Sequence, residues 1–464
     1  MSANGVCWPR KGDGMKRIST LAATILFCSQ LFAQTDSGLP LNSANKPDRP
    51  VIEPGSLRLN KGEMGRLMSA RKGGRVNLPS LDRFTGNGEE PLQLQRIDVF
   101  APGARVHHVG ETGTTLITPR ERHFFLASNS TTGVGLMFDP QSGKTRGYAI
   151  KGGNELEVSG DLGSTLEFRA VDTPEQGSRE CGTVKGNQPA ESLAFMQDGI
   201  VPSLSAAAAG STLDFQAVVA IDTDTEWLDG FNDDTAEATE WIEDAFVAMN
   251  VMYERDVATR LLIGDVFLRT DSDPYDATSS SRSGQLDEFG EYWWQNMGGI
   301  DRDFAAMFSG KISSWSFSGI AWLDQYCKTG RSWGGRTIGS YSLNAIGSNW
   351  SASSIAKFIG HELGHNMGSP HTHCYDPPVD ECYNGESDCF DGPESCPAGG
   401  KGTTMSYCHV SSCGSTSDFH PTVQALLEDR LASNSPSCIA AYEEQEPPPD
   451  PEIPLFDHSF ESGL

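Results

Sequence analysis

The chain has 464 residues, 37% of them hydrophobic, which is enough for roughly three domains with cores of ordinary size. Its formal net charge of −27 is concentrated in residues 206–464, which hold 12 Lys and Arg against 41 Asp and Glu. Such an acidic surface argues against nucleic acid and against anionic membranes as partners.

The N-terminus has the pattern of a secretory signal. Lys16 and Arg17 precede an apolar run that begins at Leu21 and continues to Ala33, too short to cross a membrane. We expect cleavage after Ala33, so residues 1–33 are the predicted signal peptide and the mature protein is extracellular. Met15 is an alternative start, because residues 1–14 add nothing that a signal needs.

Residues 34–205 are expected to form a β-rich propeptide. Short apolar runs at 122–127 and 132–138 predict strands in a Gly-rich context. The step in charge and the Ala-rich stretch 206–210 indicate a linker, which sets the predicted boundary between residues 205 and 206.

Strands and helices alternate after this boundary. Apolar periodicity predicts strands at 215–221, 261–268 and 304–308 and helices at 241–253, 286–297 and 353–366. This alternation predicts an α/β layered domain over residues 206–440.

The last of these helices leads into a run with three imidazoles and a carboxylate. His361 and His365 lie one helical turn apart, so both rings can reach one ion. Gly368 tolerates positive φ, which lets the chain turn back and makes His371 the third candidate ligand. Three nitrogen ligands with an open fourth position are typical of catalytic zinc. Glu362 projects beside that open position, where it can take a proton from water as general base.

Cysteines are concentrated near the C-terminus. Nine of the 11 remain after signal removal, and all but Cys181 lie at or beyond Cys327. In a secreted protein these eight predict a disulfide framework whose connectivity the sequence leaves open. They are Cys327, Cys374, Cys382, Cys389, Cys396, Cys408, Cys413 and Cys438. A structural zinc bound by Cys374, Cys382, Cys389 or Cys396 is the alternative.

The same region is rich in acidic residues. Asp376, Asp380, Glu381, Asp388 and Asp391 match no calcium-binding spacing, so Ca2+ stays open and we expect a solvated face. Residues 441–464 are predicted to be an acidic, Pro-rich tail with no means of packing.

The histidine run and its sequel resemble the metzincin zinc peptidases. Met405 follows His371 by 34 residues, within Thr404-Met405-Ser406-Tyr407, as the methionine turn of that group would. The stretches 369–374 and 402–408 are most similar to the reprolysin (adamalysin-like, M12B-like) branch, and in particular to its bacterial secreted members. The resemblance covers roughly residues 213–440.

This resemblance implies a metzincin-type α/β (α+β) catalytic domain with a mixed sheet, an active-site helix and one catalytic Zn2+. Met405 would form a hydrophobic floor under the three imidazoles, and Cys327 would pair far along the chain, with Cys438. Gly319, Ile320, Ala321 and Trp322 resemble the strand that lines the cleft, where an extended peptide pairs through backbone hydrogen bonds. A plain core strand is the alternative for these four residues.

Tyr407 departs from the reprolysin pattern, which usually has proline two residues after the methionine. A tyrosine there resembles the astacin and serralysin branches, in which it can ligate zinc and then move to the transition state. Two roles therefore stay open for Tyr407, an additional zinc ligand or a packing residue. His373, two residues beyond His371, is expected to line the site rather than to bind the metal.

Cys181, before the predicted boundary, has no evident partner once the other eight cysteines pair. In reprolysin zymogens a propeptide cysteine followed by glycine occupies the zinc, and Cys181-Gly182 resembles that pair, although the residues before it differ from the usual pattern. A thiolate is a strong zinc ligand and would fill the position that the catalytic water needs. The alternative is a buried or stray thiol.

These patterns predict a secreted zinc metalloendopeptidase that is made as a zymogen, with a protein or peptide as substrate and its own propeptide as inhibitor. The alternative is a zinc-holding, non-catalytic binding or adhesin-like module with the same fold. Retention of Glu362 argues against that alternative, because binding alone has no need of the carboxylate.

Overall fold

The computed structural model describes residues 55–84, 91–129, 131–161, 163, 165–171, 181–184, 213–277, 281–311, 317–347, 350–411 and 413–444. The predicted signal peptide, the linker at 206–210 and most of the predicted tail lie outside these residues. Within the described residues, no helix is both long and apolar enough to cross a membrane.

The described residues before the predicted boundary form an eight-stranded antiparallel sheet, against which helix α1 (Lys61–Ser69) lies. In spatial order its strands are β1 (Gly55–Leu57), β10 (Leu166–Ala170), β9 (Asn154–Asp161), β8 (Lys144–Lys151), β7 (Thr132–Phe138), β6 (His123–Ser128), β3 (Gln93–Ile97) and β2 (Arg75–Asn77). The β-rich character predicted for this region is confirmed, as are the strands expected near 122–127 and at 132–138.

A second, mixed sheet has nine strands in the part of the chain that the structure describes. In spatial order it runs β11 (Cys181–Val184), β15 (Phe317–Trp322), β18 (Tyr341–Ile346), β14 (Phe304–Ser309), β12 (Phe215–Thr223), β13 (Thr259–Arg269), β4 (Val106–Gly110) and β5 (Gly113–Ile117). β21 (Ala440–Ala441) pairs with the start of β12. Strands from before residue 185 thus lie along both edges of a sheet whose centre comes from residues 215–346.

Shorter ladders and helices complete the fold. β16 (Arg331–Trp333) pairs with β17 (Arg336–Ile338), and β19 (Lys401–Gly402) pairs with β20 (Gly414–Ser415). The further helices are α2 (Thr225–Asp229), α3 (Thr235–Asp256), α4 (Arg282–Asn296), α5 (Ala352–Asn366) and α6 (Pro421–Asn434).

Helix α3 lies between the two sheets and contacts β6, β7 and β8 on one side and β13 on the other. Sixteen of its 22 residues are buried for that reason. It begins six residues before the start that apolar spacing predicts, because the Asp234 side chain caps it by accepting hydrogen bonds from the N–H groups of Ala236 and Glu237. The other predicted strands and helices between residues 215 and 366 are present with ends shifted by a few residues, which confirms the mixed α/β fold.

All eight cysteines at or beyond Cys327 form disulfides, so the predicted framework is present. The pairs are Cys327–Cys438, Cys374–Cys389, Cys382–Cys408 and Cys396–Cys413. The pairing that the resemblance implies for Cys327 and Cys438 is among them. A structural zinc on these thiols is wrong, because a sulfur in a disulfide is not a thiolate ligand.

One acidic residue of the disulfide-rich loop is not on a solvated face. Asp380 is buried, and its carboxylate accepts a hydrogen bond from the N–H of Cys382 at 3.2 Å. The expectation was wrong for Asp380 because the loop folds back on itself through its disulfides. Asp376, Glu381, Asp388 and Asp391 are exposed, as expected.

Candidate metal centre

Helix α5 and the turn after it bring three histidines together. The helix begins after its cap residue Ser351, and His361 and His365 lie one turn apart near its end. Gly368 then adopts a φ of 112°, and its N–H donates to the carbonyl of His365 at 3.0 Å. This left-handed residue turns the chain back so that His371 reaches the other two rings, which confirms the role expected for the glycine.

The Nε2 atoms of the three rings converge. His365 Nε2 lies 3.0 Å from His361 Nε2 and 3.2 Å from His371 Nε2. All three side chains are buried, and their candidate ligand atoms lie within 4.8 Å of one another.

Each Nδ1 atom faces a group that only accepts hydrogen bonds. The acceptors are the Thr404 carbonyl at 2.6 Å from His361, the Ser369 carbonyl at 2.7 Å from His365 and the Glu386 carboxylate at 2.7 Å from His371. Each Nδ1 therefore carries the hydrogen, and in the neutral ring Nε2 keeps its lone pair. The short Nε2–Nε2 distances are consequently not hydrogen bonds but three lone pairs directed at one space.

Burial keeps these rings neutral. It lowers the pKa of His361 and of His365 well below the usual value, and the neighbouring imidazoles add to the effect. The pKa of His371 is also lowered by burial, although the hydrogen bond to Glu386 opposes the shift. Three neutral imidazoles with facing lone pairs repel one another unless a cation lies between them, and this donor set fits Zn2+.

The predicted methionine turn contacts the histidines. The Thr404 carbonyl accepts the hydrogen bond from His361, and the Met405 carbonyl accepts one from the N–H of Thr372 at 3.0 Å, next to His371. The Met405 side chain is fully buried, and a β-carbon at Gly364 would stand 2.7 Å from its sulfur. The turn therefore lies directly under the helix that carries two of the histidines.

Glu362 is fully buried beside strand β15. A β-carbon built at Gly319 would stand 2.2 Å from its Oε1 atom, so glycine is required for the carboxylate to lie there. Ile320, Ala321 and Trp322 continue the same strand and are buried. The segment packs into the core and also passes next to the carboxylate, and its role as the edge that binds substrate stays a prediction.

Strand β11 covers the outer side of β15. The two strands run parallel, and Cys181 pairs with Gly319 in the register. The backbone of the predicted latch residue thus lies beside the strand that contacts Glu362.

Tyr407 packs against the histidine cluster. Its ring centroid lies 4.1 Å from that of His371 and 5.4 Å from that of His373, and its side chain is buried. Tyr383 makes an edge contact with it at 5.0 Å. These contacts place the Tyr407 ring against His371 and leave both of its predicted roles untested.

Glu386 was not predicted from the sequence. Its Oε2 atom accepts hydrogen bonds from His371 Nδ1 at 2.7 Å and His373 Nε2 at 3.1 Å. Burial alone would raise the pKa of this carboxyl, but the two imidazole hydrogen bonds lower it strongly, so Glu386 is ionised. The Cys374–Cys389 disulfide closes the loop that carries Glu386, and no spacing in the sequence reveals that proximity.

Asn344 is a second residue that no motif marks. It is fully buried on β18 and pairs directly with Gly319. The two residues therefore face the side of the sheet on which Glu362 lies. Among the described residues, neither atom of its amide has a hydrogen-bond partner. A buried donor and acceptor of this kind are candidates to contact a group that binds beside Glu362.

One family model matches part of the chain. Residues 216–419 match the Reprolysin_5 model, described as metallo-peptidase family M12. Among solved structures, metalloproteinase-II from Bacteroides fragilis is 11% identical, with 62% of this chain and 80% of that chain covered and a TM-score of 0.32. A chaperone–substrate complex is 12% identical, with 61% and 38% covered and a TM-score of 0.26. None of the curated proteins matches the sequence.

Proposed function

We propose that the chain is a secreted zinc-dependent endopeptidase made as a zymogen, because residues 216–419 match the model of metallo-peptidase family M12. The observation that carries this proposal is the convergence of three Nε2 lone pairs, from His361, His365 and His371, while every Nδ1 atom is engaged. One zinc ion held by these nitrogens would keep a fourth position open for water.

The chemistry divides between the metal and the chain. Bound zinc supplies a Lewis acid for the scissile carbonyl and lowers the pKa of water. Glu362 takes the proton from the attacking water and passes it to the leaving amine. Its carboxylate is held between the α5 helix and Gly319, which orients it without a side chain in the way.

Strand β15 is the proposed binding edge for the substrate. Its outer side pairs with β11 through the backbone, so it offers the hydrogen-bonding groups that an extended peptide would use. Gly319 on this edge lies against the Glu362 side chain. A peptide paired with this edge would therefore have its scissile bond close to the base.

The same pairing supports a zymogen. While β11 lies on β15, a substrate cannot pair with that edge. In our proposal the Cys181 thiolate would also occupy the fourth position on bound zinc until this strand is withdrawn. Four disulfides near the C-terminus favour an oxidising, extracellular location, in agreement with the predicted signal peptide.

Metal content and proteolysis test this function together. The activated protein should contain one zinc per chain and cleave casein, and removal of the metal by a chelator should abolish cleavage. Glu362→Ala should keep the zinc and lose the activity, because the carboxylate is not a ligand. An activated protein without zinc, or a Glu362→Ala protein that cleaves casein at the wild-type rate, would refute the mechanism. Zinc without any cleavage would favour the non-catalytic binding module.

A further inference from the structure

The first sheet approaches helix α3 at unusually short range. A β-carbon at Gly133 would stand 2.6 Å from Val251 Cγ1, and one at Gly135 would stand 2.5 Å from Val247 Cγ1. Two glycines in β7 therefore let the strand lie directly on the valines of the helix. Without this sheet, that apolar face of α3 would be open to water.

The contact is a continuous core rather than a surface patch. One hydrophobic cluster contains buried residues both from the first region (residues 91–171) and from the peptidase domain (residues 213–440). The members from the first region are Ile97, Val99, Val106, Phe124, Leu126, Met137, Tyr148 and Ile150. Their partners in α3 include Phe246, Val247 and Val251. Separating the regions would expose both halves of this cluster.

Buried charges cross the same interface. Arg122 donates to Glu243 at 2.7 Å and also pairs with Asp244, and the three side chains are at most 7% exposed. Arg146 adds a bond to Asp244 at 2.9 Å. Removal of Arg122 would leave two carboxylates of α3 buried without their principal counter-charge, which is strongly unfavourable.

Strand β4 covers the sheet edge opposite the candidate cleft. It pairs in parallel with the end of β13, an 11-residue strand that is buried along its whole length. Just before β4, Val99 accepts a hydrogen bond from Ile263 at 2.7 Å. A long, apolar strand with a free edge is a site for aggregation. At the other edge, the described residues that cover β15 are the four of β11.

We propose that residues 91–171 stay bound to the peptidase domain after activation, so that the active enzyme is a non-covalent complex of two chains. Only the strand 181–184 leaves, and its departure frees β15 for substrate. This inference goes beyond the proposed function and uses from it two premises, that activation cuts the chain between residues 171 and 213 and that strand 181–184 then leaves β15.

Cleavage at chosen points tests the association directly. Recognition sequences for a site-specific protease are inserted within 172–180 and within 206–210 of the full chain, in a Glu362→Ala background that prevents self-digestion. After both cuts the two large fragments should elute together in size-exclusion chromatography at micromolar concentration and unfold in one transition. Separate elution at neutral pH and low ionic strength would overturn the inference.

Two arginine variants test the interface itself. Arg122→Ala should raise the dissociation constant of the cut complex at least about 100-fold, because it leaves buried carboxylates without their counter-charge. Arg120→Ala is the matched control, since Arg120 bonds Glu240 with a side chain that is 67% exposed, and should change the constant less than about fivefold. Equal effects would contradict the interface. If Arg122→Ala does not fold, the elution of the cut parent chain decides alone.

The outcome separates this inference from the proposed function. The cut complex with Glu362 restored should cleave casein while both chains remain associated. A complex that stays together while no fraction of the preparation cleaves casein would refute the peptidase function and leave the association intact. Activity that appears only in fractions free of residues 91–171 would overturn the inference and leave the function standing.

Discussion

The Glu362 carboxylate occupies the space that a side chain on residue 319 would need. A β-carbon there would stand 2.2 Å from Oε1, closer than any such contact allows. Gly319→Ala should therefore displace the carboxylate and lower kcat about 100-fold, since small misplacements of a catalytic group cost that much. Zinc content should not change, because the three histidines are untouched.

Gly298→Ala is the matched control for this substitution. A β-carbon at Gly298 meets no atom within 4 Å, so the variant should keep the wild-type kcat. Steady-state kinetics on a peptide substrate, with zinc measured in both proteins, make the comparison. Wild-type turnover by Gly319→Ala would show that Glu362 does not need its present position.

Glu386 fixes the orientation of His371 and should control zinc affinity. Glu386→Ala removes the acceptor for Nδ1, so the zinc dissociation constant should rise about 10- to 100-fold. Glu386→Gln keeps an acceptor oxygen, so its zinc dissociation constant should lie between those of the wild-type protein and Glu386→Ala. Competition with a chelator of known affinity measures the constants.

Glu394→Ala is the matched control for that measurement, because Glu394 is an exposed acidic residue eight positions after Glu386. If Glu386→Ala and Glu394→Ala bind zinc equally well, the hydrogen bond to His371 contributes nothing to the metal site.

Substitution of Tyr407 distinguishes a chemical role of its hydroxyl from a packing role of its ring. A hydroxyl that stabilises negative charge in the transition state would make Tyr407→Phe lower kcat about 100-fold while KM changes little. We expect that split, because the Tyr407 ring already lies against His371. Equal kinetic constants for the two proteins would assign the residue to packing alone.

Cys181 can be tested in the uncut precursor. With cleavage between the two regions blocked, the Cys181→Ala zymogen should have measurable peptidase activity where the parent zymogen has none, because the fourth position on zinc becomes open to water. Cys181→Ser serves as the conservative variant. If both substituted precursors contain zinc and stay silent, inhibition comes from the cover of β15 by β11 and not from a thiol.

The sequence by itself determined what depends on local spacing. Two histidines one turn apart, a glycine that permits positive φ and a third histidine just beyond it specify a metal-binding geometry from a short stretch of chain. The same holds for the strands and helices between residues 215 and 366, whose periodicity reflects which face is buried.

Only the tertiary structure decided which distant residues meet. Glu386 reaches His371 because a disulfide closes its loop, and Gly319 meets Glu362 because a strand and a helix far apart in sequence pack together. The pairing of β4 with β13 could not be predicted from the sequence either, since the partners in a sheet are set by long-range hydrogen bonds. Spacing along the chain encodes local geometry, whereas contacts across the core depend on the whole fold.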